Sequence, residues 1–261
     1  MKIIAGPCQH ENLNHSLYIV EKCMEVCKKY NIDYFFKASY DKANRTHNDA
    51  VRGHGLLATM HDFRQMKYSY PNLQILTDVH SIEDINIIEN RFCDCIDVIQ
   101  IPAFLSRQTD LIKRACETDK IVNIKKGQFL APWDIKGILS KTEEAKEVWI
   151  TERGTSFGYN TLVVDFTGLS YMLDNYDCYI FFDATHSVQQ PGGNGNSSGG
   201  NRKYVPGLTR AASALGINNF FMEVHNDPDN APSDGPNMIN LNEFDNIVEN
   251  IVKYNFKGLY A

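Results

Sequence analysis

Along the chain, short apolar runs alternate with segments in which apolar side chains return every three or four positions. The runs at 2–5, 34–37, 73–77, 98–101, 121–124, 148–151, 179–182 and 219–222 are strand-length and rich in Ile, Val and Phe. Such near-continuous runs fit parallel strands buried on both faces. Between them, 15–30, 56–68, 82–91, 111–118, 135–146, 161–175, 205–215 and 241–254 read as helices packed on a sheet. Ile85 with Ile88, and Ile247, Val248, Ile251 and Val252, show the 3.6-residue repeat.

Eight strand–helix units at intervals of about 30 residues predict an α/β fold, a single (β/α)8 TIM barrel over residues 1–261. The rival is an open doubly wound sheet, which usually has fewer strands and often a glycine-rich turn after the first. Neither a GxGxxG nor a Walker pattern occurs. The longest polar loop, 189–202, follows the seventh strand and reads as a Gly-rich mobile lid over the active site. A Gly/Pro/Asp-rich loop at 226–237 follows the eighth.

Composition narrows the function. A net charge of −6 argues against a general nucleic-acid or anionic-membrane surface, so anion binding has to be local. No apolar run is long enough to span a membrane, and the N-terminal run is too short for a secretory signal. Seven scattered cysteines, an odd number, fit reduced thiols in a cytoplasm rather than a disulfide framework. Cys23 and Cys27, four apart, read as one buried helix face.

The stretch from Tyr34 to Arg45 is where chemistry enters. An apolar strand start, Tyr34-Phe-Phe36, delivers Lys37, Lys42 and Arg45 to one end, which is built to hold anions. Barrel enzymes carry their catalytic groups at the C-terminal strand ends. There the chain has Cys8, Lys37, Asp78 with His80, Gln100, Lys125 with Lys126, Glu152 with Arg153, Asp183 with His186, and Glu223 with His225. Two chemistries separate. Lys37, Lys42, Arg45, Lys125 and Arg153 suit two phosphates, or a phosphate and a carboxylate. Cys8, His186, Glu223 and Asp234 form a mixed S/N/O set for a divalent transition metal, because barrel closure brings strands one, seven and eight together. His80 and His225 stand as alternative ligands.

Over nearly its whole length the chain resembles the 3-deoxy-D-manno-octulosonate 8-phosphate synthases. The resemblance is carried by Ile4-Ala-Gly-Pro-Cys8, Phe36-Lys-Ala-Ser-Tyr-Asp-Lys-Ala-Asn-Arg45, Arg52-Gly-His-Gly55, Thr77-Asp-Val-His80 and Ile99-Gln-Ile-Pro-Ala-Phe-Leu105. It continues through Asn123-Ile-Lys-Lys-Gly-Gln-Phe129, Thr151-Glu-Arg-Gly154, Asp183-Ala-Thr-His-Ser-Val188 and Ser233-Asp-Gly-Pro236. It implies a transferase that condenses phosphoenolpyruvate with arabinose 5-phosphate and water, releasing phosphate, in lipopolysaccharide sugar synthesis.

Carried over by position, the resemblance places Lys42, Gln100, Ala103, Lys125 and Arg153 on phosphoenolpyruvate. Lys37, Asn44, Arg45 and Thr46 fall on the sugar phosphate, and Lys37, Lys42, Asn44, His186 and Asp234 among the catalytic groups. The family divides into metal-dependent and metal-independent branches, chiefly by Cys or Asn at the position of Cys8. Cys8 therefore implies an Fe, Zn or Mn cofactor held by Cys8, His186, Glu223 and Asp234. A cytoplasmic homotetramer, with no nucleic-acid or membrane partner, is the expected setting. One departure is at Thr46-His47, where the family usually has two serines; it touches sugar specificity more than the condensation.

Three alternatives stay open at this point. They are a Schiff-base aldolase through Lys37 or Lys125, a sister synthase using erythrose 4-phosphate, and a barrel that only binds sugar phosphates.

Overall fold

A computed structural model of the chain describes residues 1–45, 47–193, 195 and 198–255. Eight parallel strands form the centre: β1 (Lys2–Gly6), β2 (Asp33–Lys37), β3 (Gln74–Asp78), β4 (Val98–Ile101), β5 (Ile121–Lys125), β6 (Glu147–Glu152), β7 (Tyr179–Asp183) and β8 (Asn219–His225). Each pairs with the next in sequence, and β1 pairs with β8, Gly6 standing opposite Glu223, so the sheet closes. The outer ring is α1 (Leu13–Lys29), α2 (Leu56–Ser69), α3 (Ile82–Arg91), α4 (Thr109–Cys116), α5 (Ile135–Leu139), α6 (Phe166–Asn175), α7 (Val205–Ala214) and α8 (Phe244–Tyr254). This is a (β/α)8 barrel, as the spacing predicts.

All eight predicted strands are present; most helix ends fall within about two residues of expectation, and α5, α6 and α8 depart further. α5 stops at Leu139 rather than 146, because the Ser140 and Thr142 hydroxyls donate back to the Gly137 and Leu139 carbonyls and turn the chain. α6 starts at Phe166, not 161, capped by the Asp165 carboxylate on the Gly168 N–H. The residues just before it are committed to an antiparallel pair, Leu162–Val163 with Thr155–Ser156. α8 begins at Phe244, after a 3-10 turn at Leu241–Glu243. The 189–202 loop opens and closes with a short antiparallel pair, Gln189–Gln190 with Gly199–Gly200.

Strand alternation positions the site. One apolar cluster lies between strands and helices; a second, of Ile4, Phe35, Leu76, Val98, Trp149, Phe181 and Phe221, is contributed by seven different strands. Trp149 packs its ring against Phe35 and Phe181 at 4.9 and 4.8 Å between centroids. Burying each large side chain contributes about 1.5–3 kcal/mol, so the barrel interior is a packed plug rather than a pore. Because strand side chains alternate with period two, the positions two further on share that inward register. They are Gly6, Lys37, Asp78, Gln100, Thr151, Asp183 and Glu223. The apolar plug thus becomes the floor of a polar site.

Candidate active site

A cavity of about 570 Å³ opens over that floor, lined by residues from the ends of seven strands and their loops. Lys37, Lys42, Asn44, Arg45, Gln100, Ala103, Lys125, Arg153, His186 and Asp234 all border it. Cys8 and Glu223, both fully buried, lie beneath. Thr46 lies outside the described residues.

On the β2 side, Ser39 organises two ammonium groups. Lys37 and Lys42 each donate to its hydroxyl oxygen at 3.0 Å, and that hydroxyl donates to Asp78 at 2.5 Å. Burial pushes the Asp78 carboxyl up, but Lys37, His80, Lys42 and the Ser39 hydroxyl outweigh it and bring it down to about 2. Burial works against the charge of Lys42 too; the acidic groups around it prevail, and its pKa is raised.

Across β4–β6 runs a buried row. Thr151 donates to the Asn123 carbonyl at 2.7 Å, and the Asn123 amide donates to Gln100 Oε1 at 3.0 Å. The carbonyl end of Gln100 is thereby engaged and its NH₂ is available to a ligand acceptor. Beside it, Lys125 lies over the Phe221 ring at 3.1 Å and donates to Asp183. Burial, with Arg153 and Lys37 nearby, lowers Lys125 to about 8 despite that carboxylate. Arg153, likewise lowered by burial, donates to Gln128 at 3.2 Å and Gln189 at 2.9 Å. Arg45 donates to Val51, Ser233, Gln9 and Pro232, tying the β2 loop to the loop that carries Asp234.

The predicted metal ligands come together. Donor atoms of Cys8, Glu223 and Asp234 lie within 4.8 Å of one another. His186 Nε2 is 3.7 Å from Glu223 and 3.9 Å from Asp234. Cys8 and Asp234 both take left-handed backbone, φ 49° and 53°, which costs a non-glycine residue of order 1 kcal/mol or more and is kept where a site demands it. Burial, with Glu223 next, pushes the Cys8 thiol well up, and its S–H donates to Asp234 at 3.2 Å. Both carboxylate oxygens of Glu223 are buried without a hydrogen bond, the Lys37 ammonium standing 3.6 Å from one of them, and a metal cation would engage them directly. A thiol, an imidazole and two carboxylates suit a divalent transition ion.

Two residues have roles that sequence reasoning missed. Asp183 contacts both Lys125 and His186, and Gln189 accepts from Arg153 while donating to Asp234 at 2.8 Å. Their position at or just after a strand end was the only signal. His80 contacts the Asp41 carbonyl at 3.1 Å, and His225 pairs with Glu11 at 2.7 Å.

The model of the DAHP synthetase I family matches residues 1–257. The chain belongs to that family. Among similar proteins, "2-dehydro-3-deoxyphosphooctonate aldolase" of Rickettsia bellii (strain OSU 85-389) is 49% identical over 257 residues, covering 97% of this chain and 90% of the relative. The protein of the same name from Caulobacter vibrioides (strain NA1000 / CB15N) is 49% identical over 256 residues, covering 97% and 87%. That from Rickettsia prowazekii (strain Madrid E) is 50% identical over 254 residues, covering 97% and 90%.

Proposed function

We propose that this member of the DAHP synthetase I family is a 3-deoxy-D-manno-octulosonate 8-phosphate synthase, condensing phosphoenolpyruvate with arabinose 5-phosphate and water. The observation that carries the chemistry is the meeting of cations from three segments, Lys37–Arg45, Lys125 and Arg153, around one cavity with the Cys8–His186–Glu223–Asp234 group at its base. The relatives' shared name supports the product.

In this reading Lys125 and Arg153 neutralise the phosphate of phosphoenolpyruvate, and Gln100 and Lys42 orient its carboxylate end, with the backbone at Ala103 beside them. Asn44, Arg45 and Thr46 meet the sugar phosphate. Lys37, bonded to the Cys8 carbonyl at 2.9 Å, holds positive charge between the two reactants. Carbon three of the enol attacks the aldehyde carbon and water adds at carbon two. The C2–O bond then breaks and inorganic phosphate leaves. Fixing both substrates before reaction accounts for several kcal/mol of the barrier, about 7–11 at best.

Cys8, His186, Glu223 and Asp234 would hold Fe, Zn or Mn, which when bound supplies Lewis-acid polarisation of an oxygen. A cytoplasmic tetramer is the setting proposed, and the 189–202 loop a lid. No helix among the described residues is long and apolar enough to cross a membrane.

The lowered pKa of Lys125 gives the Schiff-base alternative one specific support. Borohydride with substrate separates the two: covalent trapping of a lysine would overturn the condensation mechanism. The principal test is phosphate release from phosphoenolpyruvate with arabinose 5-phosphate or erythrose 4-phosphate, before and after chelation. Release with the pentose phosphate, lost to chelator and restored by Mn²⁺, is expected. Indifference to chelator would remove the metal, and no release with either sugar would remove the function.

A further inference from the structure

Outside the cavity, a second group of metal-type donors lies among the described residues: Glu11, His15 and His225, with ligand atoms within 4.8 Å of one another. Their hydrogen bonds decide what the group does. The Asp227 backbone N–H donates to His225 Nδ1 at 2.9 Å, so a neutral ring carries its proton on Nε2. That N–H faces Glu11 Oε1 at 2.7 Å. A protonated ring nitrogen cannot ligate a cation, so the geometry is that of a clamp rather than a metal site.

What the clamp joins is specific. Glu11 comes three residues after Cys8, and His225 two residues after Glu223. The strands that carry those ligands are paired, Gly6 opposite Glu223. His15 secures the clamp: its ring lies 4.7 Å from that of His225, its Nδ1 is 3.6 Å from the same Glu11 oxygen, and its Nε2 is 2.8 Å from Asn226 Oδ1. The Cys8 turn, held in left-handed backbone, needs fixing on both sides. On the β2 side the Ser39 N–H and Lys37 ammonium donate to the Cys8 carbonyl, each at 2.9 Å. On the other side the next tie to the barrel's eighth strand is Glu11 to His225.

We propose that the Glu11–His225 pair is a positioning pair that sets the spacing of Cys8 against Glu223, and through it the affinity of the quartet for its divalent cation. This rests on the metal reading above. Outer partners of metal ligands typically govern about 10- to 100-fold in affinity.

The test uses the full chain, stripped of metal and titrated with Co²⁺. It reads stoichiometry, affinity by chelator competition, the thiolate-to-cobalt charge-transfer band, and Tm. Glu11→Ala is expected to bind one Co²⁺ about 10- to 100-fold more weakly with a shifted band. Glu11→Gln, whose carbonyl oxygen still accepts from Nε2–H, restores both. His225→Asn, which shortens the donor, gives the same loss and carries the comparison where Glu11→Ala does not fold. A folded Glu11→Ala protein with unchanged affinity and band overturns the proposal, whatever its Tm. So does a second Co²⁺ per chain that disappears in Glu11→Ala, since the trio would then be a site in itself. A wild-type chain that binds no Co²⁺ overturns the metal reading and the clamp with it.

Discussion

Asp183 Oδ2 stands 2.7 Å from His186 Nδ1 and, with the same oxygen, accepts from Lys125. Its other oxygen accepts from the Thr185 hydroxyl and the Thr185 and His186 backbone N–H groups. Burial alone would push this carboxyl up; His186 and Lys125 pull it far down instead. One fixed anion therefore orients both a proposed metal ligand and a proposed phosphate ligand, leaving His186 Nε2 to face Glu223 and Asp234. Asp183→Asn keeps the shape and removes the charge. We expect metal affinity about 10- to 100-fold lower together with a higher KM for phosphoenolpyruvate, read by metal titration and steady-state kinetics. Loss of only one of the two would show that the carboxylate does not couple them.

Lys125 gives a pH dependence with a definite sign. Its pKa of about 8 in the folded chain lies below its unfolded value. The ammonium is present below pH 8 and is lost above it, so kcat/KM for phosphoenolpyruvate should fall about tenfold per pH unit on that side. Stability moves the other way. Between pH 8 and the unfolded pKa the unfolded chain binds the extra proton, so this residue favours folding progressively more as pH rises through that window. Rate profiles and thermal melts over the same pH series check both slopes, and a Lys125→Arg chain should lose the alkaline limb.

The barrel was legible because each strand is covered on both faces. Runs such as Val98–Ile101 carry no competing helical pattern, and closure follows from counting eight of them. Helix starts were less so. Residues 161–165 look helical in isolation, but Leu162 and Val163 pair with Thr155 and Ser156, a contact no periodicity reveals. In the site, strand-end position singled out Lys37, Gln100 and Glu223. The roles of Asp183 and Gln189 depend on which distant side chains they meet: Asp183 reaches Lys125 across 58 positions and Gln189 reaches Asp234 across 45. The quartet itself is no sequence motif; its members meet because β8 pairs with β1 on one side and with β7, which leads to His186, on the other.

Lys126 and Glu152 form a buried ion pair at 3.0 Å behind the Arg153 turn, where Glu152 also accepts from the Gly154 N–H at 2.6 Å. Removing one charge strands the other in a dry environment. Lys126→Met or Glu152→Leu should each cost about 3–5 kcal/mol, whereas the double Lys126→Met/Glu152→Leu change should cost far less than their sum. Denaturant melts of the four proteins give the cycle. Additive losses would mean that the two side chains act independently.

Gly6 occupies the inward register between Lys37 and Glu223, yet it presents no side chain there. A Cβ at this position would run into the Lys37 carbonyl oxygen and come within 2.8 Å of its carbonyl carbon. Both are backbone atoms of the neighbouring strand, so no rotamer change relieves the clash. β1 would have to withdraw from β2 toward β8, altering the spacing of Cys8 against Glu223 and carrying the Cys8 carbonyl away from the Lys37 ammonium. Gly6→Ala should therefore destabilise the chain by about 1–3 kcal/mol, the range for overpacking. In the protein that still folds, it should weaken metal binding and phosphate release together. Thermal melts, Co²⁺ titration and the phosphate assay on one preparation test this. A Gly6→Ala chain with wild-type metal affinity would mean that the Cys8 turn is held independently of the β1–β2 contact.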